Sequence, residues 1–177
     1  NKLALNNLAA LNFFNGDIDT AENLYVLSIE KNEKNYDAKY YLAQCQLAKS
    51  NYKDGWLNFS YRWLSNNFNS VKYKTNLPKY KINLEKQNLL LWSEQGLGDQ
   101  ILFSRCLRYF ETKKNKVFFL VQNKLLKLFS LSFPKIKFIN KIGNLNFDYV
   151  IALADIPKFS IKTISNLQNI SFPYLKV

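Results

Sequence analysis

The chain has 177 residues, of which 47% are hydrophobic and 16% aromatic, a composition typical of a folded protein with a buried core rather than a disordered one. It carries 25 Lys and Arg against 13 Asp and Glu. We expect neither a signal peptide nor a membrane span, and no stretch comes near the ~18 apolar residues that a span requires. Because histidine is absent, acid–base chemistry would fall to carboxylates, Lys or Tyr, and we expect no metal site.

Residues 1–66 are predicted to form helical-hairpin repeats, because apolar residues recur at helical spacing in successive segments separated by polar breaks. Gly16 suits the left-handed position that ends a helix, and Asp17 can cap the helix that follows. When the two halves are superposed, they match at the repeat length that is typical of tetratricopeptide proteins. The aligned pairs are Ala9/Ala43, Gly16/Ser50, Ala21/Gly55 and Tyr25/Phe59. We expect the small residues among them to let the helices of a hairpin approach closely.

Residues 67–88 are predicted to be a basic linker, since the segment is polar, contains Pro78 and is rich in lysine. Tyr73 and Tyr80 alternate with the lysines, so stacking on nucleic acid is an alternative interpretation of the same segment. Of the two interpretations, a solvated connector is the favoured one.

From residue 89 to residue 177 the pattern changes to alternating strands and helices, which predicts a Rossmann-like parallel sheet. The predicted strands are Leu89–Ser93, Val117–Val121, Ile136–Ile139 and Asp148–Leu153. The first is followed by a helix expected at Asp99–Phe110. In such sheets ligands bind outside the carboxyl ends of the strands, where the turn after the first strand would lie.

That turn contains Gly96 and Gly98 between an apolar strand and an amphipathic helix. It is a poor dinucleotide fingerprint, because Ile101 occupies the third glycine position and no acidic residue ends the second strand. It is not a phosphate-binding P-loop either, since no Gly-Lys-Ser/Thr follows. We therefore expect no nicotinamide or other cofactor.

Asp99 has two interpretations. Its carboxylate can cap the helix that begins at Gln100, or it can act as a general base that deprotonates an acceptor hydroxyl. Glu94 and Gln95 could orient that acceptor, or could satisfy the backbone of the turn.

The string Glu94-Gln95-Gly96-Leu97-Gly98-Asp99-Gln100-Ile101, followed by Arg105, resembles the signature of bacterial tetratricopeptide-repeat proteins that carry a glycosyltransferase domain. That domain is similar to heptosyltransferases and to O-linked N-acetylglucosamine transferase, which have the two-lobed GT-B fold. Shorter landmarks agree in order along the chain, among them Gly55-Trp56, Phe147-Asp148 and Ile156-Pro157.

The resemblance implies helical repeats followed by the N-terminal lobe of a GT-B fold. Gly98-Asp99 matches the Gly-Asp of heptosyltransferases, whose aspartate is the proposed catalytic base, so Asp99 becomes the candidate base. The candidate substrate-binding residues are Glu94, Gln95, Gly96, Gly98, Gln100 and Arg105. The acceptor would be a glycan or a protein. The second lobe of this fold holds the nucleotide sugar, so we expect no transfer by residues 1–177 alone. With no methionine at position 1, we expect the chain to begin partway into a longer protein.

Two alternatives remain open. The repeats could bind a protein partner beside a degenerate, non-catalytic α/β lobe. The chain could also bind nucleic acid, since residues 67–177 carry 18 basic and six acidic residues, although only three of the basic residues of the chain are Arg.

Cys45 and Cys106 are expected to be buried thiols, which together with the missing signal peptide indicates a cytoplasmic protein.

Overall fold

The computed structural model describes residues 2–94, 96–170 and 173–176. The chain divides into two compact units, Asn1–Asn69 with Ile161–Ser165 and Ser70–Ser160 with Asn166–Val177. Within the described ranges, none of the helices combines the length and the apolar composition that crossing a bilayer demands.

The first unit consists of α1 (Lys2–Phe14), α2 (Ile18–Lys31), α3 (Tyr36–Ala48) and α4 (Tyr52–Phe59), and α4 continues as a 3₁₀ helix at Ser60–Leu64. The start and the end of α3 both lie one repeat length after those of α1, and the start of α4 lies one repeat length after that of α2. The helical hairpin therefore occurs twice with the period read from the sequence.

The boundaries of these hairpins follow from local side-chain chemistry that also repeats. Asp17 Oδ1 accepts a hydrogen bond from the Thr20 amide at 3.1 Å, and hydrogen bonding from Thr20 holds the pKa of Asp17 below its ordinary value. Asn51, at the equivalent position of the second hairpin, caps α4 in the same way. Gly16 has a φ of 85° and its aligned partner Ser50 a φ of 62°. The left-handed helix end and the cap predicted at residues 16 and 17 are confirmed.

The close approach predicted at Gly55 is also confirmed. A Cβ added there would lie 2.7 Å from Leu47 Cδ2, so the second hairpin closes at a point where a methyl group does not fit.

The corresponding faces of α1 and α3 have different surroundings. Ala38, Leu42 and Cys45 of α3 belong to one buried cluster with residues of α2. Leu8 and Leu11 occupy the positions of α1 that are equivalent to Leu42 and Cys45, and they are 49% and 62% exposed. Burial raises the pKa of the Cys45 thiol to about 11.

The second unit contains a four-stranded sheet of β1 (Asn88–Trp92), β2 (Lys116–Leu120), β3 (Lys137–Ile139) and β4 (Tyr149–Ala152). All pairs are parallel and the strand order is β3-β2-β1-β4. Residues 89–91 of the central strand are at most 1% exposed, because their apolar side chains are covered on both faces of the sheet. The predicted parallel α/β lobe is confirmed.

The helices that follow β1 and β2 are α5 (Leu97–Ser104), which continues as a 3₁₀ helix at Arg105–Phe110, and α6 (Asn123–Ser132). Two short helices come after β4, α7 (Pro157–Ser160) and α8 (Ile164–Gln168).

Part of the segment predicted as a basic linker pairs with this sheet. The Tyr80 amide donates to the Val150 carbonyl at 2.9 Å, and the Val150 amide donates to the Pro78 carbonyl at 2.9 Å. The Tyr80 ring is 5% exposed and packs edge-on against Phe110 and Phe159. This ring is part of the core and has no free face on which a base could stack.

Candidate functional site

The strand order places a topological switch point between β1 and β4. The chain leaves β1 toward β2 on one side, whereas β4 returns on the other side. Ligands of open parallel sheets bind at the carboxyl ends of the strands next to such a point. The turn after β1 and the 3₁₀ helix at Leu153–Asp155 after β4 both begin at this edge.

The turn after β1 starts α5 two residues earlier than the sequence predicted. Gly96 is the N-cap residue, with an extended backbone at φ −64° and ψ 178°, and its carbonyl accepts the Gln100 amide at 3.1 Å. Asp99 is therefore the third residue of the helix. The prediction that Asp99 caps a helix beginning at Gln100 is wrong, because the backbone of Gly96 takes the capping position without any side-chain bond.

Asp99 lies half-buried in the first turn of α5. Its Oδ2 is 3.9 Å from the position that a Cβ on Gly96 would take, so the carboxylate folds back over the start of the helix. A negative charge at this end of a helix is favoured by the helix dipole. Within the described part of the chain, the carboxylate makes no hydrogen bond or ion pair.

Asp99, Glu94 and Gln100 meet around a hollow of about 10 Å³, which has room for about one water molecule or one hydroxyl group. Glu94 is 9% exposed and Gln100 is 1% exposed, so two polar side chains are buried beside the half-buried carboxylate of Asp99. The rest of the lining is Ser93, Phe103, Leu153 and Ala154. Of the two carboxylates in the described lining, that of Asp99 is the less buried.

Sequence reasoning missed those four lining residues. Leu153 and Ala154 follow β4, and they could have been found by placing the end of β4 beside β1, as a Rossmann-like strand order requires. Phe103 lies one helical turn after Asp99, on the same side of α5.

Of the described substrate-binding candidates, Gly96, Gly98 and Arg105 are absent from the described lining of this hollow. Gln95 lies outside the described residues. The Arg105 Nε donates to the Leu102 carbonyl at 2.9 Å, and its guanidinium lies 5.8 Å from the centre of the Tyr174 ring.

The two glycines of the turn are not explained by the backbone or by crowding. Among the described glycines, a positive φ occurs at Gly16 and Gly143, but not at Gly96 or Gly98. Apart from chain neighbours and the backbone of α5, no described atom lies within 4 Å of a Cβ built on Gly98, and a Cβ on Gly96 would lie 3.9 Å from Asp99 Oδ2. The absence of side chains keeps the space over the turn open.

No three His, Cys, Asp or Glu side chains of the described ranges lie close enough together to hold a metal ion. No family model, curated protein or solved structure matches the chain.

Proposed function

We propose that this chain is the acceptor-side part of a tetratricopeptide-linked, heptosyltransferase-like glycosyltransferase. The observation that carries the proposal is the meeting of Asp99, Glu94 and Gln100 under an open glycine turn at the switch point of a parallel sheet. The two helical hairpins, which repeat at the tetratricopeptide period, support the assignment of the first unit to such repeats.

In the proposed reaction an acceptor hydroxyl enters the hollow and gives its proton to the Asp99 carboxylate. The hydroxyl oxygen bonds to the anomeric carbon of a nucleotide sugar, and the bond from that carbon to the nucleoside diphosphate breaks. Glu94 and Gln100, held rigidly by burial, position the acceptor. The donor is bound by a second lobe outside residues 1–177.

The test of Asp99 is made in the natural protein that carries residues 1–177. Asp99→Asn keeps the shape of the side chain and removes the base, so transfer to the acceptor should fall by about 10²- to 10⁴-fold. Asp19→Asn is the matched control, because Asp19 also lies in the first turn of a helix, in the other unit. Transfer within tenfold of the unsubstituted protein, with the fold intact, would show that Asp99 is not the base.

The requirement for a second lobe has its own test. Residues 1–177 alone should transfer no sugar from a nucleotide-sugar donor, and transfer by this chain would contradict the division of the site between two lobes.

A second candidate function, a non-catalytic interaction module, is favoured by a groove of about 380 Å³ in the first unit. It is lined by equivalent positions of α1 and α3 in the two hairpins: Leu3/Asp37, Asn7/Tyr41 and Ala10/Gln44. Amide side chains beside aromatic rings suit an extended peptide, whose backbone they can both donate to and accept from. For this function, Asn7→Ala should abolish peptide binding and Asp99→Asn should change nothing.

A further inference from the structure

A cleft of about 500 Å³ lies at the carboxyl ends of β1, β2 and β3, within the range of small-molecule sites. Trp92 and Leu120 end neighbouring strands in register, and Asn140 directly follows β3. Ser93 lines both this cleft and the hollow that contains Asp99. The cleft and the proposed reaction site therefore adjoin each other at Ser93.

The lining of the cleft combines aromatic rings with uncharged hydrogen-bonding groups. The rings of Tyr73 and Trp92 lie 5.9 Å apart, inclined at 37°. The polar groups of the lining residues include the hydroxyls of Ser93 and Tyr73 and the side-chain amides of Gln122, Asn123 and Asn140. None of the described residues of the lining is charged, although the whole chain has a net charge of +12.

The amides retain hydrogen-bonding capacity. Asn140 Nδ2 donates to Asn123 Oδ1 at 2.9 Å, which uses one donor of Asn140 and the carbonyl of Asn123. The remaining Asn123 N–H groups and the Asn140 carbonyl make no side-chain hydrogen bond among the described residues. The cleft thus offers donors and acceptors together.

This chemistry selects a neutral, hydroxyl-rich ligand. A phosphate or carboxylate ligand would be matched by Lys or Arg, and the described lining contains neither. A purely apolar ligand would leave the amides without partners. A sugar ring fits both halves of the lining, because its C–H face packs on an aromatic ring and its hydroxyls both donate to and accept from amides.

We propose that this cleft binds a neutral sugar ring. The assignment of this sugar to the acceptor rests on the proposed function, whereas the binding of a sugar by the cleft does not. The neutral class of the ligand narrows the acceptor from any glycan or protein hydroxyl to a hydroxyl on or next to an uncharged sugar.

The test measures binding of neutral methyl glycosides (gluco, galacto, manno and N-acetylglucosamine forms) to residues 1–177 by saturation-transfer NMR at about 10 mM ligand. At least one should bind. Tyr73→Ala and Asn140→Ala should each weaken that binding by at least tenfold. Matched controls are Tyr52→Ala, a half-buried tyrosine of the other unit, and Asn144→Ala, an exposed turn asparagine outside the cleft lining.

Because Tyr73 packs on Trp92, hydrogen exchange of β1 verifies the fold of each variant, and the exposed Asn140 provides a second test that does not disturb the aromatic pair. The proposal is overturned if no neutral glycoside binds, if binding survives both substitutions, or if only glucuronate or glucose 1-phosphate binds. A protein whose cleft binds a neutral glycoside but which transfers no sugar would refute the proposed function and leave this proposal standing.

Discussion

The Gly98→Ala variant tests whether the backbone requires glycine at position 98 or whether the missing side chain keeps a binding site open. Gly98 is the second residue of α5, its φ is not positive, and a Cβ there would meet nothing within 4 Å. Alanine is favoured over glycine in helix interiors by about 0.8–1.0 kcal/mol. In a first turn we expect about half of that, so the substitution should raise the free energy of unfolding by ~0.5 kcal/mol.

The same methyl group would occupy the open space beside the start of α5, on the residue that precedes Asp99. If an acceptor uses that space, transfer by the natural protein should fall at least tenfold although its fold is slightly more stable. Urea denaturation gives the stability, with hydrogen exchange of β1 to report on the second unit, and a transfer assay gives the activity.

Gly143→Ala is the matched control, because Gly143 also has nothing within 4 Å of an added Cβ but has a φ of 57°. A left-handed residue other than glycine costs about 1–2 kcal/mol, so this variant should be destabilised. If Gly98→Ala is destabilised as much as Gly143→Ala, the backbone requires glycine at position 98 and the reasoning fails. If Gly98→Ala is stable and fully active, the open space is not part of the site.

Four further predictions concern stability and the burial of the two thiols. Ser50→Gly should raise the free energy of unfolding by about 1 kcal/mol, seen as a higher melting temperature, because Ser50 has a φ of 62°; an unchanged melt would refute this strain. Gly55→Ala should lower the free energy of unfolding by about 1–3 kcal/mol in urea denaturation, because the added methyl would lie 2.7 Å from Leu47 Cδ2. An unchanged denaturation midpoint would contradict the close packing. Burial raises the pKa of Cys106 to about 12 and that of Cys45 to about 11, from an ordinary 9.0, so the unfolded chain releases these protons first and stability should fall above about pH 9. A thiol reagent at about pH 8 should label neither cysteine until urea is added, and rapid labelling of the folded protein would contradict their burial.

Features encoded by neighbouring residues could be predicted from the sequence. The left-handed Gly16 and the cap at Asp17 have their signals within a few residues, and the structure confirms both. The bounds of the four strands were predicted to within one residue, because buried parallel strands are short apolar runs.

Features that depend on distant or ambiguous partners were not predicted. Glycine is typical of both turns and N-caps, so the sequence could not show that Gly96 would start α5 at Leu97. Val150 pairs with Pro78, which lies far from it along the chain, and the spacing of apolar residues in the sequence does not indicate such a contact. Asn140 joins Asn123 only because β3 lies beside β2 in the sheet.

The unequal burial of the two hairpins has a consequence for comparing the two copies. Leu42 and Cys45 help to form the core, so selection for folding acts on them directly, whereas Leu8 and Leu11 are exposed in the same positions of the first copy. Within the described chain, a polar side chain at Leu8 or Leu11 would stay in water, whereas one at Leu42 or Cys45 would lose its water contacts. A match between the two copies therefore identifies core positions in the second copy but not in the first.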